Sequence, residues 1–408
     1  MTKRVVITGM ALASPLGSTL EDAFKRLHTP ENCVQYQKEL DNYKGLHTRL
    51  TTRVKDFVTP QDFDRKTTRT MGNVAIMSVA TAKQALIDAN LLDNPIIQRG
   101  QTGVSYGSSC GSISSIVDFY SMEVDHEVKN LNSGSYIKMM SHTTAVNISL
   151  YFKTHGRLIP TSTACTSGSM AIGYAYETIK SGLQTIMIAG GAEEYNPSNV
   201  GVFDTLFATS VKNDTPKLTP SPFDKDRDGL VLGEGAGTLI LEEYEHAKSR
   251  GAKIYAEIVG FGTNTDGSHI TNPNSDMMTE VMKLALNSAH LTPDDIDYIN
   301  AHGTGTINGD IAESNSTYSV FGNKCPISSL KSYTGHTLGA CGAIETIMSI
   351  IMMNNNWFCP TLNLKNVDPE CAELDYIMNE PRNIDAEYIM TNNFAFGGIN
   401  TSLILKRI

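Results

Sequence analysis

The chain has 408 residues, 40% apolar and 19% charged; about 150 residues per domain predicts two to three domains. A chain so long and so poor in charge must bury a large core, which excludes a disordered or nucleic-acid-coating protein. Its 33 basic and 43 acidic residues give a net charge of −10, so nucleic acid and anionic membrane are poor partners.

The opening MTKRVVITGMALASPLG holds a strand, VVIT, and meets Gly9 and Pro15 too soon for a signal-peptide core. Across 69–91, Met71, Val74, Ala75, Met77, Ala80, Ala85, Leu86 and Ala89 recur at helical spacing. QTGVSYGSSCGS (101–112) reads as a strand entering a Gly/Ser turn, and 113–160 as a less regular excursion. TSTACTSGSM then leads into a helical pattern, and TIMIAGGAEE (185–194) and GTLILEE (237–243) follow. Such short continuous apolar runs are expected of strands covered on both faces.

From there the order repeats. KIYAEIVGFGTNTDG (253–267) matches 3–17, and LALNSAHLT (284–292) shares ALxxAxL with QALIDANLL (84–92) at an offset of 200. DYINAHGTGTIN (297–308) answers 101–112, and KSYTGHTLGACG (331–342) answers the segment around Cys165. EYIMTNNFAFGG (387–398) and TSLILKR (401–407) answer 185–194 and 237–243. Six matches in one order predict a duplicated, layered α/β protein with halves 1–250 and 251–408, the first enlarged by insertions. The most apolar late run, IETIMSIIMM (344–353), is about half a bilayer span and carries Glu345. Seven scattered cysteines without a CxxC pair predict neither disulfides nor a zinc site. A soluble, cytoplasmic chain with reduced thiols and no bound metal is expected.

Cys165 lies where a strand turns into a helix. The positive end of that helix favours thiolate, and its backbone N–H groups suit an oxyanion. A small cysteine filling a tight turn is the plain alternative. His302 and His336 each occupy a Gly/Thr-rich turn of the second half, where a lone histidine is ordinarily a hydrogen-bonded structural residue. One cysteine and two histidines in duplicated turns form a constellation at strand ends, where α/β proteins place sites. Two other motifs fail. Asp224–Gly229 resembles a calcium loop but has Gly235 at position twelve and two interleaved basic residues. Gly303, Gly305 and Gly309 miss the dinucleotide spacing.

TACTSG, HGTGT with GD and E following, PSPFDKDRDGLVLGEGAG, KSxxGHTLGACG and NNFAFGGIN together resemble the elongating β-ketoacyl-[acyl-carrier-protein] synthases of the thiolase superfamily, over essentially the whole chain. The resemblance implies a thiolase-like α/β/α/β/α fold and a decarboxylative condensation through acyl-Cys165. It makes His302 and His336 hydrogen-bond donors to an enolate and places Lys331 among the catalytic residues, with Glu345 as structural support. It also implies an oxyanion hole from the N–H groups of Cys165 and Phe396. Thr271, Thr304 and Thr306 would meet the phosphopantetheine arm, Phe396 would gate, and Cys110 would line the acyl pocket. No cofactor is implied beyond the phosphopantetheine of an acyl carrier protein, the expected partner, docking at Arg65, Lys66 and Arg69 where the 69–91 helix begins. The family's dimers imply a homodimer, or a heterodimer with a paralogous chain-length-factor-like subunit.

Cys110 at a usually bulky position, HGTGTINGD for the commoner HGTSTPAGD, and Ala395 between the two phenylalanines depart from housekeeping enzymes. They point to a specialised polyene or polyketide synthase, aryl-polyene ketosynthases being the nearest class. Two alternatives remain. A non-catalytic chain-length factor would characteristically lack the nucleophile, and a biosynthetic thiolase would need a second active cysteine near the C-terminal glycine loop.

Overall fold

Apolar runs covered on both faces have only the backbone ladder to satisfy their polar groups, and they fold as strands. The computed structural model describes residues 2–129 and 131–408. Its main strands are β1 (Val5–Ala13), β2 (Thr102–Gly107), β3 (Leu158–Thr161), β4 (Ile186–Glu193), β5 (Gly235–Glu243) and β6 (Ala256–Thr265). They continue with β7 (Tyr298–Asn300), β8 (Pro326–Ser328), β9 (Asp375–Tyr376), β10 (Tyr388–Ala395) and β11 (Ile399–Lys406). All are joined in one sheet of order β9-β8-β7-β10-β11-β6-β1-β5-β4-β2-β3.

Outward from the antiparallel β1–β6 seam the two sides repeat each other. One runs β1-β5-β4-β2-β3 and the other β6-β11-β10-β7-β8, with β9 added at its edge. The senses agree as well: two antiparallel pairings and then two parallel ones on each side. Gly9 and Gly260 show why the repeated ALxxAxL was legible. A Cβ on Gly9 would stand 2.3 Å from the Ala85 carbonyl, and one on Gly260 2.6 Å from that of Ala285. In each half a glycine strand presses on an alanine helix face. Each of those helices ends on a left-handed residue, Asn90 (φ 54°) or His290 (φ 57°).

The helices that matter here are α1 (Asn73–Asp88), α2 (Ile116–Asp125), α3 (Thr143–Phe152), α4 (Ser167–Lys180), α5 (Pro197–Thr205), α6 (Ser275–Ala289), α7 (Ile307–Phe321) and α8 (Cys341–Asn354). α1 and α3 lie on the first half of the sheet, while α6, backed by α7, covers the second. α4 and α8 pack on each other and touch strands of both halves, so they form the middle of five layers. With neither face meeting water, α8 is apolar almost all round. Among the described residues no helix is long and apolar enough to cross a membrane.

Two local expectations are corrected. Arg65, Lys66 and Arg69 do not begin a helix: Thr67–Thr70 is a 3-10 turn, Gly72 caps, and the α-helix starts at Asn73. The 113–160 excursion contains α2, α3, a shorter helix (Ser133–Met139) and β3. β3 is short, carries Pro160 and lies at the sheet edge, the place where proline is tolerated. α2 has no buried residue, so most of its apolar side chains stay exposed in the single chain.

Candidate active site

Two tight turns aim the chemistry. Ala164 opens the turn before α4 at φ 49°, and Leu338 opens the one before α8 at φ 48°. A non-glycine residue there carries about 1–2 kcal/mol of strain, held by the packing of the two helices. Cys165 follows the first turn and His336 precedes the second, and His336 Nε2 stands 3.0 Å from Cys165 Sγ. His302, just past β7, presents its ring edge-on to His336 at 5.2 Å between centroids. All three are buried yet line a cavity of about 400 Å³.

Behind His302 the network is fully buried. Lys331 Nζ lies 3.2 Å from His302 Nδ1 and 2.5 Å from Glu345 Oε1. Asn393 Nδ2 donates to Glu345 Oε2 at 2.8 Å and reaches His302 Nδ1 at 3.4 Å. Glu313 accepts the backbone N–H groups of His302 and Gly303, each at 2.7 Å, and so fixes the turn itself. Asp310 accepts from Phe223 and Gly305 while facing buried Arg227. Arg227 also pairs with Asp368. The rejected calcium loop is thus built on a buried arginine.

Electrostatics follow from burial. It pushes the Cys165 thiol up to about 11, although the N–H of Phe396, Lys331 and the N–H of Cys165 all act to lower it. Burial thus opposes the thiolate that the helix end favours. Burial, and then Lys331, hold His302 and His336 well below the ordinary histidine value. Burial also works against the Lys331 ammonium, but Cys341, Glu345 and Glu313 around it more than offset this and leave it raised.

With both rings neutral, hydrogen bonds choose the tautomer. Leu338 N–H donates to His336 Nδ1 at 3.3 Å, and Lys331 donates to His302 Nδ1. Each ring therefore carries its hydrogen on Nε2. That arrangement bears on metal binding, because the ligand atoms of Cys165, His302 and His336 lie within 4.8 Å of one another. A metal needs a bare nitrogen, and the held tautomers turn N–H groups inward instead. The trio suits negative charge on a substrate better than a cation.

The description "Beta-ketoacyl synthase, N-terminal domain" matches residues 2–247, and "Beta-ketoacyl synthase, C-terminal domain" matches residues 255–365. The chain belongs to the β-ketoacyl synthase family. The 3-oxoacyl-[acyl-carrier-protein] synthase 2 of Vibrio harveyi is 37% identical, with 100% of this chain and 99% of that one covered. A crystal structure of a β-ketoacyl synthase from Burkholderia phymatum is 55% identical with a TM-score of 0.98, both chains covered completely. A type II polyketide synthase acyl-carrier protein in complex with its ketosynthase bound to the hexaketide is 29% identical, with a TM-score of 0.90 and 100% of each chain covered. The fold is the thiolase-like one expected.

Within this family member, Thr271, Thr304 and Thr306 line the cavity, and the hydroxyls of Thr304 and Thr306 lie 2.9 Å apart. Phe396 tops the β10–β11 hairpin, packed at a tilt against Phe203 of α5 at 5.1 Å between centroids, and is followed by Gly397 (φ 88°) and Gly398 (φ 71°). Exposed Phe207, Ile270 and Ile307 mark the cavity mouth. Cys110 does not line this cavity; within the single chain it is exposed on the turn after β2, next to Ser109, which hydrogen-bonds Glu193. Arg65, Lys66 and Arg69 are exposed and outside the cavity. Sequence reading left Glu313 and Asp310 without roles, though both stand in the quoted GD and E. Asn393 likewise had no role, though it stands in the quoted NNFAFGGIN. Also missed was Cys341, whose thiol donates to the Cys165 carbonyl at 3.3 Å; the second cysteine near the nucleophile comes from α8 rather than from the glycine loop.

Proposed function

We propose that this β-ketoacyl synthase joins an acyl group, held on Cys165, to the two-carbon unit of a malonyl-carrier thioester. The observation that carries this is a buried thiol 3.0 Å from one imidazole, with a second imidazole beside it in the same cavity. Cys165 attacks the acyl-carrier thioester, and its proton leaves with the pantetheine sulfur, so acyl transfer balances without an external base. Malonyl then loses CO₂, and the Nε2–H groups of His302 and His336 stabilise the enolate oxygen. The enolate carbon bonds to the acyl carbon, whose oxyanion faces the N–H groups of Cys165 and Phe396. The carbon–sulfur bond breaks, the cysteine sulfur takes up one proton, and the β-ketoacyl carrier departs. Lys331 keeps His302 in its donor tautomer, Glu345 holds Lys331, and Thr271, Thr304 and Thr306 contact the pantetheine arm in the cavity. Intact mass after mixing with acyl-carrier thioesters tests this reading: one acyl group should appear on the Cys165 peptide, and its absence with every acyl carrier offered would overturn it.

The division between halves falls at 250/251, between the two stretches matched by the family descriptions. The partner in both half-reactions is an acyl carrier protein, and the site of action is cytoplasmic. Carriers of this kind are acidic, and against a net charge of −10 docking needs a local basic patch. Arg65, Lys66 and Arg69, exposed on one turn, supply it. Reversing charge at Arg65 and Arg69 should weaken carrier binding about tenfold at low salt and less at high salt; titration over a salt series checks this, and an unchanged affinity rules out docking there.

A second subunit, either a copy of this chain or a chain-length-factor-like paralogue, covers the apolar face of α2, where Val117, Tyr120 and Val124 are exposed. Cys110 lies on the turn leading into that face. Across the interface it would border the far end of an acyl pocket, its small side chain admitting the longer or stiffer chains of a polyene or polyketide pathway. Cys110→Ile should shorten the longest acyl group accepted, as read from rates across carriers of increasing chain length. An unchanged profile sinks the assignment.

A further inference from the structure

The buried carboxylate of Glu345 holds two donors, and both end on the same atom. One oxygen takes Lys331 Nζ at 2.5 Å and the other Asn393 Nδ2 at 2.8 Å. The same two nitrogens then stand 3.2 Å and 3.4 Å from His302 Nδ1. The orientation of the Asn393 amide follows from chemistry, because only its NH₂ end can face a carboxylate oxygen. Its two N–H groups have two oriented acceptors, Glu345 and the imidazole nitrogen; Cys341 Sγ, at 3.8 Å, is the looser third contact.

We infer that Asn393 is a positioning residue for the condensation: together with Lys331 it forms a two-donor cradle that holds His302 with Nδ1 as acceptor and Nε2–H turned into the cavity. Two donors on one nitrogen leave no room for a hydrogen there. Turning the ring over would break both bonds at once, so the pair fixes orientation as well as tautomer. The two donors also differ in kind. The lysine is a flexible ammonium whose shortest bond is to Glu345, whereas the amide is a short, planar group on β10, one residue before Phe394. Asn393 thereby couples the strand that carries the gate hairpin to the imidazole that meets the enolate.

This inference rests on the condensing-enzyme reading, and its test separates the two. Asn393→Leu keeps the branched shape and removes both donors. Malonyl-carrier decarboxylation should fall about tenfold, the effect of one hydrogen bond, while acylation of Cys165 changes less than about threefold. Nitrogen NMR of the His302 ring should show the single Nε2–H form in the unaltered protein and a mixture of tautomers in the variant. Equal losses in both half-reactions, or an unchanged tautomer, would overturn the inference. Should the leucine variant not fold, Asn393→Ser, which shortens the donor but keeps a polar group, is read by the same criteria. A protein that fails to decarboxylate malonyl-carrier without any substitution would defeat the condensing reading alone, since the NMR result still reports on the cradle.

Discussion

Cys165→Ala is expected to reduce condensation by at least about 10⁴-fold, the scale on which removal of a covalent nucleophile acts, and to abolish the acyl mass increase. The expectation is sharp because no neighbouring group can take over. Cys341 is the nearest other thiol described, but its sulfur points at the Cys165 carbonyl rather than at the cavity, and burial raises it well above the ordinary thiol value. The alanine leaves His302, Lys331 and Asn393 untouched, so malonyl-carrier decarboxylation should continue without a condensation product. Intact mass and carbon dioxide release read the two outcomes separately. Condensation retained in the alanine variant, in the presence of a partner subunit, would transfer the chemistry to that partner and leave this chain a shaping role.

His302→Ala should give the complementary result: decarboxylation and condensation reduced by about 10²–10³-fold, the usual effect of losing one oxyanion donor, with Cys165 still acylated. The division follows from the contacts. His336 reaches the sulfur at 3.0 Å, whereas the described contacts of His302 are with Lys331, Asn393, Glu313 and the rings of His336 and Phe394. Loss of the ring therefore removes help to the enolate and keeps the His336 contact to the thiol. Half-reaction rates, measured with acyl carrier alone and malonyl carrier alone, decide it. A parallel fall in both would show that His302 holds the site together rather than serving one step.

The repeat was legible because its packing is written in small residues: Gly9 against Ala85 and Ala89, and Gly260 against Ala285 and Ala289, stand at matching places in the chain. Cys165, His302 and His336 were legible because turns of glycine and threonine around a reactive side chain are unusual anywhere else. The burial that opposes the Cys165 thiolate was not, since it comes from Leu40, Val200, Leu230, Leu232 and Leu338, all distant in sequence, and a local reading sees only the helix end. Asn393 and Glu345 lie 48 residues apart in sequence, and no spacing rule joins them. The start of α1 was misplaced because Met71 fits the apolar period while Gly72 interrupts the backbone. β3 stayed hidden because four residues with a proline carry no alternation to detect.

The meeting of α4 and α8 has a consequence for how such enzymes can diverge. A Cβ on Gly168 would stand 2.9 Å from the Gly339 carbonyl, and one on Gly191 only 2.3 Å from the same oxygen. No side chain can grow at this junction, so the reacting centre is closed to gradual exploration by mutation. Novelty must enter from the rim, through positions such as Phe207, Ile270 and Ile307 that are exposed at the cavity mouth. A lineage built on this plan is free to change what it elongates, but not how it forms the bond.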